Sequence, residues 1–209
     1  MSGYIAFVKK EFTENMKNYR FFILFVVFLI FGIMSAFLAK FTPEILSALS
    51  AVLMVFRFPL PFMPPFLSFD FAGIPELIGA FTLGPIAGIF IIVVRIILQL
   101  ALAGTNSMFT GELQSLMLSI ALVLPASLVY QRNNTKQGAV KAMVIGTFMN
   151  VIVAVFTNLV IIIPFYISLY GMDMGMIIEM SRAVNPYVDS TLKLVLLGIV
   201  PFNLIKNAI

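Results

Sequence analysis

Residues 57–70, RFPLPFMPPFLSFD, interrupt a sequence that is otherwise made of long apolar runs, and they contain the prolines Pro59, Pro61, Pro64 and Pro65. A proline has no backbone N–H to donate and biases the preceding residue to extended geometry, so a loop is predicted here. The residues between the prolines are Leu, Phe and Met instead of the polar residues of a solvated linker. Non-helical backbone at membrane depth is tolerated where it lines a cavity. The loop is therefore interpreted either as a lid over a bound small molecule or as an interfacial connector with aromatic anchors.

The segments on either side of this loop have the composition of a membrane protein. Hydrophobic residues make up 61% of the 209 residues, charged residues make up 11%, and the mean hydropathy is +1.09. Apolar runs of about 18 or more residues with few charges are the signature of membrane-spanning helices, and this chain has several. The predicted fold class is all-α, a polytopic integral membrane bundle of about six transmembrane helices.

The residue types that the chain lacks exclude most catalytic chemistry. The sequence has no His, Cys or Trp, which removes the commonest metal ligands, a thiol nucleophile and the imidazole base. We therefore expect no enzymatic activity, no metal site and no cofactor. The net charge of +4 is not massed in one stripe, so it indicates cytoplasmic loop charge and no nucleic-acid partner.

Residues 1–41 form a predicted front segment. Its first part mixes aromatic residues with four basic ones, as in an interfacial helix: Lys9, Lys10, Lys17 and Arg20. The apolar run over residues 21–39 is long enough to span the membrane and is predicted to be an extra hydrophobic helix. The lead FVKKEFTENMKNYR and the run after it, within residues 1–50, resemble the first helix of the permeases of ABC-type exporters. Residues 42–209 are predicted to form a second domain.

The second domain is predicted to begin with a helix over residues 43–56. The sequence TPE at residues 42–44 combines a capping hydroxyl, a proline at the first helical position and an acid in the first turn. This helix carries a strip of small residues on which another helix can pack closely: Ser47, Ala48 and Ala51.

The part of the chain after the loop is predicted to contain one short helix, over residues 74–81, and then spans over residues 86–103, 113–130, 141–164 and 194–209. The loop QRNNTKQ, residues 131–137, is strongly hydrophilic and is expected on the cytoplasmic side. The more polar residues 171–193 are predicted to be a water-facing connection with one short helix.

Polar residues inside the predicted spans mark positions that need a partner. Arg95 and Gln99 lie four residues apart in one span, and an intramembrane cation is expected to face a cavity, an acid or a partner, or else to snorkel. Asn150 and Asn158 lie deep in another span. By themselves, Asn158 and Asn203 are more often expected to be interhelical hydrogen-bond residues than ligand contacts.

A family resemblance rests on four stretches of sequence: ILSALSAVLMVFRFPLPFMPPFLSFDF, IPELIGAFTLGPIAGI, the basic loop near QRNNTK, and GIVPFNLIK. Together they resemble the riboflavin-specific substrate-binding (S) components of energy-coupling factor (ECF) vitamin transporters, the RibU family. The resemblance implies a six-helix protein of a prokaryotic plasma membrane that captures riboflavin on the extracellular side under its first loop. It also implies three protein partners, namely a transmembrane coupling subunit and two ATPase subunits.

The resemblance assigns site residues position by position. Family residues that contact the flavin are matched by Asn158, Asn203 and Lys206. The loop that closes over the flavin contains Phe66, Leu67 and Phe69. The strip that faces the coupling subunit in the family is matched by Ser47, Ala48 and Ala51. The family usually has two alanines four residues apart in this strip, and this sequence departs from that spacing. An Asn side chain both donates and accepts hydrogen bonds and a Lys only donates, so these types suit the alternating donors and acceptors of a flavin edge.

Two features depart from the family pattern. An extra spanning helix over residues 21–39 reverses the expected orientation and leaves the basic lead outside, against the positive-inside tendency. The last span, residues 194–209, has 16 residues. As a helix it rises only about 24 Å against a hydrocarbon core of about 30 Å. The last helix is therefore predicted to be truncated, with Lys206 in a fraying terminal turn.

The sequence thus predicts the riboflavin-binding subunit of an ATP-driven ECF vitamin importer. Two alternatives remain open at this stage. Residues 1–50 suggest a fragment of an ABC-type exporter permease, and the two departures suggest a chimeric membrane protein without transport function. Tight flavin binding separates the importer subunit from both alternatives.

Overall fold

The structure is a computed structural model that describes residues 40–61, 63–64, 67–105, 107–171 and 173–208. The predicted basic lead and the predicted extra helix over residues 21–39 lie outside the described residues. The residues from Pro43 onward belong to one compact unit, Pro43–Ile209.

The described chain is helical apart from one strand pair. Helix α1 covers residues 40–55, and the loop after it contains strands β1 and β2, Phe58–Pro59 and Ser68–Phe69. Helices α2, α3 and α4 are Gly73–Leu83, Pro85–Ala103 and Thr110–Arg132. Helix α5, Lys136–Thr157, continues through a π-helical turn π1, Asn158–Ile162, into α6, Ile163–Tyr170. The chain ends with α7, Met174–Arg182, and with α8, Thr191–Leu194, which continues through π2, Val195–Ile199, into α9, Val200–Ala208.

Four helices of the described chain are long and apolar enough to cross a membrane: Pro85–Ala103, Thr110–Arg132, Lys136–Leu169 and Thr191–Ala208. Helix α2 is apolar but shorter. Together with α1, these helices agree with the predicted all-α membrane bundle, and that prediction is confirmed.

The proline-rich stretch is a loop, as predicted, but it folds back on itself. Strands β1 and β2 pair antiparallel, with Phe58 opposite Phe69 and Pro59 opposite Ser68. The pairing ends after two residues on each strand because a proline cannot donate to a ladder. The clustered prolines predict a loop correctly, but they give no indication that its two ends pair as short strands.

Helices α2 and α3 form a hairpin around Gly84. This residue has a φ of 99°, which a glycine adopts without strain, and Pro85 opens the next helix. The two helices approach closely, since a Cβ at Gly88 would lie only 2.6 Å from the Cβ of Ala80. The hairpin brings the C-terminal part of α2 next to the first turn of α3.

Helices α4 and α5 also pack at close range. A side chain at Gly146 would place its Cβ 2.5 Å from the carbonyl oxygen of Leu122 and 3.0 Å from the Cβ of Ala126. The hydrophilic loop between the two helices ends at Thr135, whose hydroxyl caps α5 by accepting a hydrogen bond from the N–H of Gly138.

Both π-helical turns stand just before a proline. Pro164 follows π1 by two residues, and Pro201 follows π2 by two residues. A proline removes a hydrogen bond to the preceding turn and its ring crowds the carbonyl there, so a widened turn lets the helix continue. The prediction that a span ends at Pro164 is therefore wrong, because the helix runs on to Tyr170.

The last helix begins at Thr191 rather than at the predicted Leu194. Ser190 caps it, because its hydroxyl accepts a hydrogen bond from the N–H of Lys193 over 3.5 Å. Lys206 lies in the last turn of α9, as the sequence predicts, and fraying of this turn stays a prediction.

The connection over residues 171–193 contains α7, in agreement with the one short helix predicted there. Ile177 of this helix packs against Val188 and Leu194. Asp189 and Lys193 form an exposed ion pair, and the hydrogen bond from Lys193 lowers the pKa of the Asp189 carboxyl. This pair lies away from the cavity described below and serves as a control position.

Candidate ligand-binding cavity

A cavity of about 620 Å³ lies inside the bundle. This volume falls within the range of about 300–1,000 Å³ typical of small-molecule sites. Its apolar wall includes Met54, Leu67, Phe71, Ile74, Leu77, Ile78, Phe81, Leu118, Leu122, Met143 and Phe202. Its polar wall includes Arg57, Ser68, Asp70, Arg95, Ser107, Gln114, Ser115, Ser119, Asn150, Asn158, Tyr166, Asn203, Lys206 and Asn207. The cavity therefore joins an apolar surface to polar groups from the loop and from several helices.

Two buried asparagines present acceptor atoms in the cavity wall. Asn158 is the first residue of π1, and its Nδ2 donates to the carbonyl of Ala154 at 2.7 Å. Asn203 of α9 donates in the same way to the carbonyl of Ile199 at 2.8 Å. Each amide thus uses its nitrogen on its own helix, and neither Oδ1 accepts a hydrogen bond from a described residue. Both oxygens are suited to accept from a ligand N–H.

Two further asparagines tie the helices around the cavity together. Asn207 of α9 donates to the Oδ1 of Asn150 on α5 at 2.9 Å. Asn150 in turn donates to the carbonyl of Leu118 on α4 at 2.7 Å. Asn150 therefore makes interhelical hydrogen bonds and also lines the cavity, whereas the amide nitrogens of Asn158 and Asn203 stay on their own helices.

Lys206 reaches the loop from the last helix. Its Nζ lies 2.7 Å from the Oδ2 of Asp70, the residue that follows β2. The Asp70 Oδ1 accepts a hydrogen bond from the N–H of Ala72 at 3.0 Å. The lysine side chain is 28% exposed and that of the aspartate 10%. The cation is therefore held at the cavity wall by a partly buried carboxylate.

A fully buried ion pair lies beside the cavity. Arg95 of α3 and Glu76 of α2 are 1% and 0% exposed, and their Nε and Oε1 atoms are 2.5 Å apart. The Arg95 guanidinium also donates to the hydroxyls of Ser115 and Ser119 on α4, each at 3.1 Å, and contacts the sulfur of Met54 on α1. The sequence predicts that Arg95 faces a cavity, an acid or a partner, and in the structure it faces both an acid, Glu76, and the cavity. The pair connects four helices.

The loop residues assigned from the resemblance occupy different places. Leu67 lines the cavity. Phe69 is buried outside the cavity wall, with its ring against Phe58 and edge-on to Phe71. Successive residues of an extended segment point to opposite sides, and the two neighbours of Phe69 in the chain, Ser68 and Asp70, line the cavity. Phe66 lies outside the described residues. The roles of Leu67 and Phe69 in flavin binding stay predictions.

The small-residue strip on α1 is divided between two faces of the helix. Ser47 and Ala51 are 0% exposed, whereas Ala48 is exposed. The buried face continues to Ser50, whose hydroxyl donates to the carbonyl of Ala72 at 2.7 Å. Ser47 and Ala51 therefore face the bundle and Ala48 faces outward, and the docking role of this strip stays a prediction.

Several residues in or beside the cavity were not singled out in the sequence. Glu76 escaped notice because its partner Arg95 meets it only through the α2–α3 hairpin. Ser115 and Ser119 carried a usable signal, since two hydroxyls four residues apart in an apolar span lie on one face. Asp70 lay in the quoted loop, but its contact with Lys206 joins residues 136 positions apart.

Comparison with known proteins gives one consistent result. A family model described as "ECF transporter, substrate-specific component" matches residues 45–209. The chain is 30% identical over 169 residues to the riboflavin transporter RibU of Staphylococcus aureus (strain TCH60), covering 80% of this chain and 82% of that protein. It is 29% identical over 168 residues to the riboflavin transporter FmnP of Bacillus subtilis (strain 168), covering 79% and 82%.

A solved structure gives the same result. The structure reported as "Structure and mechanism of the S component of a bacterial ECF transporter" aligns with a TM-score of 0.62 at 28% sequence identity. The alignment covers 81% of this chain and 86% of the other.

Proposed function

The chain belongs to the substrate-specific components of ECF transporters, and we propose that it is the riboflavin-binding subunit of an ATP-driven vitamin importer. It is a transporter component, not an enzyme. Two of its relatives are named riboflavin transporters, which supports riboflavin as the substrate. The reading as a fragment of an exporter permease is not favoured, because the family match extends over residues 45–209.

The observation that carries the proposal is the set of polar side chains that line one cavity together. Asn158 and Asn203 offer acceptor oxygens, and Lys206 offers N–H donors. The pyrimidine edge of a flavin has an N–H between two carbonyl groups, so it needs an acceptor flanked by donors. In the proposed complex an asparagine Oδ1 accepts from the ring N–H, and the Lys206 ammonium donates to a neighbouring carbonyl.

The rest of the cavity suits the other parts of the vitamin. Phe71, Leu77 and Leu118 provide apolar surface for the fused rings. Ser115 and Gln114 bring polar groups that suit a hydroxylated tail. A cavity of about 620 Å³ also has the size for a ligand of this class.

We expect saturable, one-to-one quenching of riboflavin fluorescence when the purified chain is titrated into the vitamin in detergent. The chain has no Trp whose fluorescence could report binding, so the titration follows the fluorescence of the ligand. Thiamine, a vitamin without the fused flavin rings, is the matched ligand control and is expected not to compete. A well-folded sample that leaves riboflavin fluorescence unchanged contradicts the proposed substrate.

The proposed transport cycle needs partner subunits. Residues 42–209 bind riboflavin from the extracellular side under the 57–70 loop, in the plasma membrane of a prokaryote. The loaded chain then docks on a transmembrane coupling subunit that carries two ATPase subunits, and reorientation of the bundle releases the vitamin inside. The exposed face of α1 around Ala48 is the proposed docking surface.

An Ala48→Trp variant is expected to lose co-purification with the coupling and ATPase subunits while it keeps riboflavin binding. The reason is steric, because helices that dock through small residues approach too closely for an indole ring. Val144→Trp on α5 is the matched control, since Val144 is also an exposed residue of a helix. Equal recovery of the partner subunits with both variants argues against docking at Ala48.

A further inference from the structure

Asp70 connects the proline-rich loop to the cation of the last helix. One carboxylate oxygen lies 2.7 Å from the Nζ of Lys206, and the other accepts a hydrogen bond from the N–H of Ala72, directly before α2. The same carboxylate therefore fixes the end of the loop, the start of α2 and the side chain of Lys206.

We propose that Asp70 is a positioning residue for ligand binding, which acts by holding the ammonium group of Lys206 at the cavity wall. The inference rests on the proposed function, in which Lys206 donates to the ligand. An ammonium group has three N–H donors, so Lys206 keeps its bond to Asp70 and still donates into the cavity. The loop and the ligand thereby share one cation.

Apolar contacts beside the ion pair seat the loop on the same helix. Met63, Leu67 and Phe69 of the loop form a buried cluster with Phe202, which lies one turn before Lys206 on α9. Leu67 and Phe202 also line the cavity. A ligand in contact with α9 is therefore adjacent to the cluster and to the ion pair that hold the loop down.

The burial of the pair makes its geometry important for binding. With Asp70 only 10% exposed, the attraction between the two charges is less screened than that between surface charges. Without the carboxylate, the Lys206 side chain has no fixed direction. Ordering it when the ligand binds then costs conformational entropy, which makes the free energy of binding less favourable. The loop also loses one of its attachments to α9, so a bound ligand is released faster.

Asp70→Asn is the variant that tests the proposal, because it removes the charge and keeps an oxygen for the Ala72 N–H. We expect riboflavin affinity to fall about tenfold, mainly through faster dissociation in stopped-flow fluorescence. In a Lys206→Met background the same substitution is expected to change the affinity by less than about twofold, since Asp70 then has no cation to position. Asp189→Asn breaks the exposed pair with Lys193 and is expected to leave binding unchanged.

Two results overturn the inference while the proposed function stands. One is an Asp70→Asn variant that binds riboflavin with wild-type affinity. The other is an equal loss of affinity on Asp70→Asn substitution in the wild-type and Lys206→Met backgrounds, which would mean that Asp70 acts on loop stability alone. If Asp70→Asn does not fold, Asp70→Ser keeps a capping oxygen and undergoes the same comparison. A folded wild-type chain that binds no riboflavin overturns both the proposed function and this inference.

Discussion

Replacing Arg95 with methionine is expected to destabilise the fold by about 3–5 kcal/mol, because it leaves the buried Glu76 carboxylate without its counter-charge. Glu76 and Arg95 are 0% and 1% exposed, so the attraction between the two charges is little screened by solvent. The substitution also removes the hydrogen bonds to Ser115 and Ser119 that tie α3 to α4. The measurement is chemical or thermal unfolding of the detergent-purified variant, compared with the wild-type chain.

A double variant separates the charge from the loss of packing. Glu76→Gln combined with Arg95→Met buries no net charge and is expected to recover most of the stability that the single variant loses. Lys193→Met, which breaks the exposed pair with Asp189, is the matched control and is expected to have little effect. If Arg95→Met unfolds like Lys193→Met, the buried pair does not stabilise the bundle.

Asn203→Ala combined with Lys206→Ala is expected to weaken riboflavin binding by about 30- to 1,000-fold. The double variant removes one neutral and one charge-assisted hydrogen bond to the ring edge, worth together about 2–4 kcal/mol. The loss of the lysine also frees Asp70 at the loop. The measurement is the same fluorescence titration that tests the wild-type chain.

The matched control changes the same residue types on a surface loop. Asn134→Ala combined with Lys136→Ala lies in the exposed turn before and at the start of α5, away from the cavity wall. We expect this variant to bind riboflavin like the wild-type chain. If the Asn203→Ala, Lys206→Ala variant binds riboflavin with wild-type affinity, other cavity residues recognise the ring. Asn203 and Lys206 are then not ligand contacts.

The arrangement of α9 explains why a few residues matter so much for the proposed function. Within about one turn, this helix presents Phe202 to the loop, Asn203 to the cavity and Lys206 to both. The π-helical turn before it allows the helix to pass Pro201 without ending. Ligand recognition and attachment of the loop therefore depend on one short stretch of chain.

The sequence by itself determined the membrane bundle, the proline loop, the family and the residue types of the cavity. These features follow from neighbouring residues: apolar length specifies a span, clustered prolines prevent a helix, and short motifs carry the resemblance. The same local patterns located the asparagines at 158 and 203 inside apolar spans. The local patterns gave a wrong result at Pro164. A proline there predicts the end of a helix, but the widened π-helical turn before it lets the helix continue.

Only the tertiary structure decided which of these residues meet. The pairing of Asp70 with Lys206 joins positions 136 residues apart, and the pairing of Glu76 with Arg95 depends on the turn at Gly84. The orientation of α1 against the bundle likewise buries Ser47 and leaves Ala48 exposed. Such contacts depend on how helices pack and turn against each other, and spacing along the chain does not specify that packing.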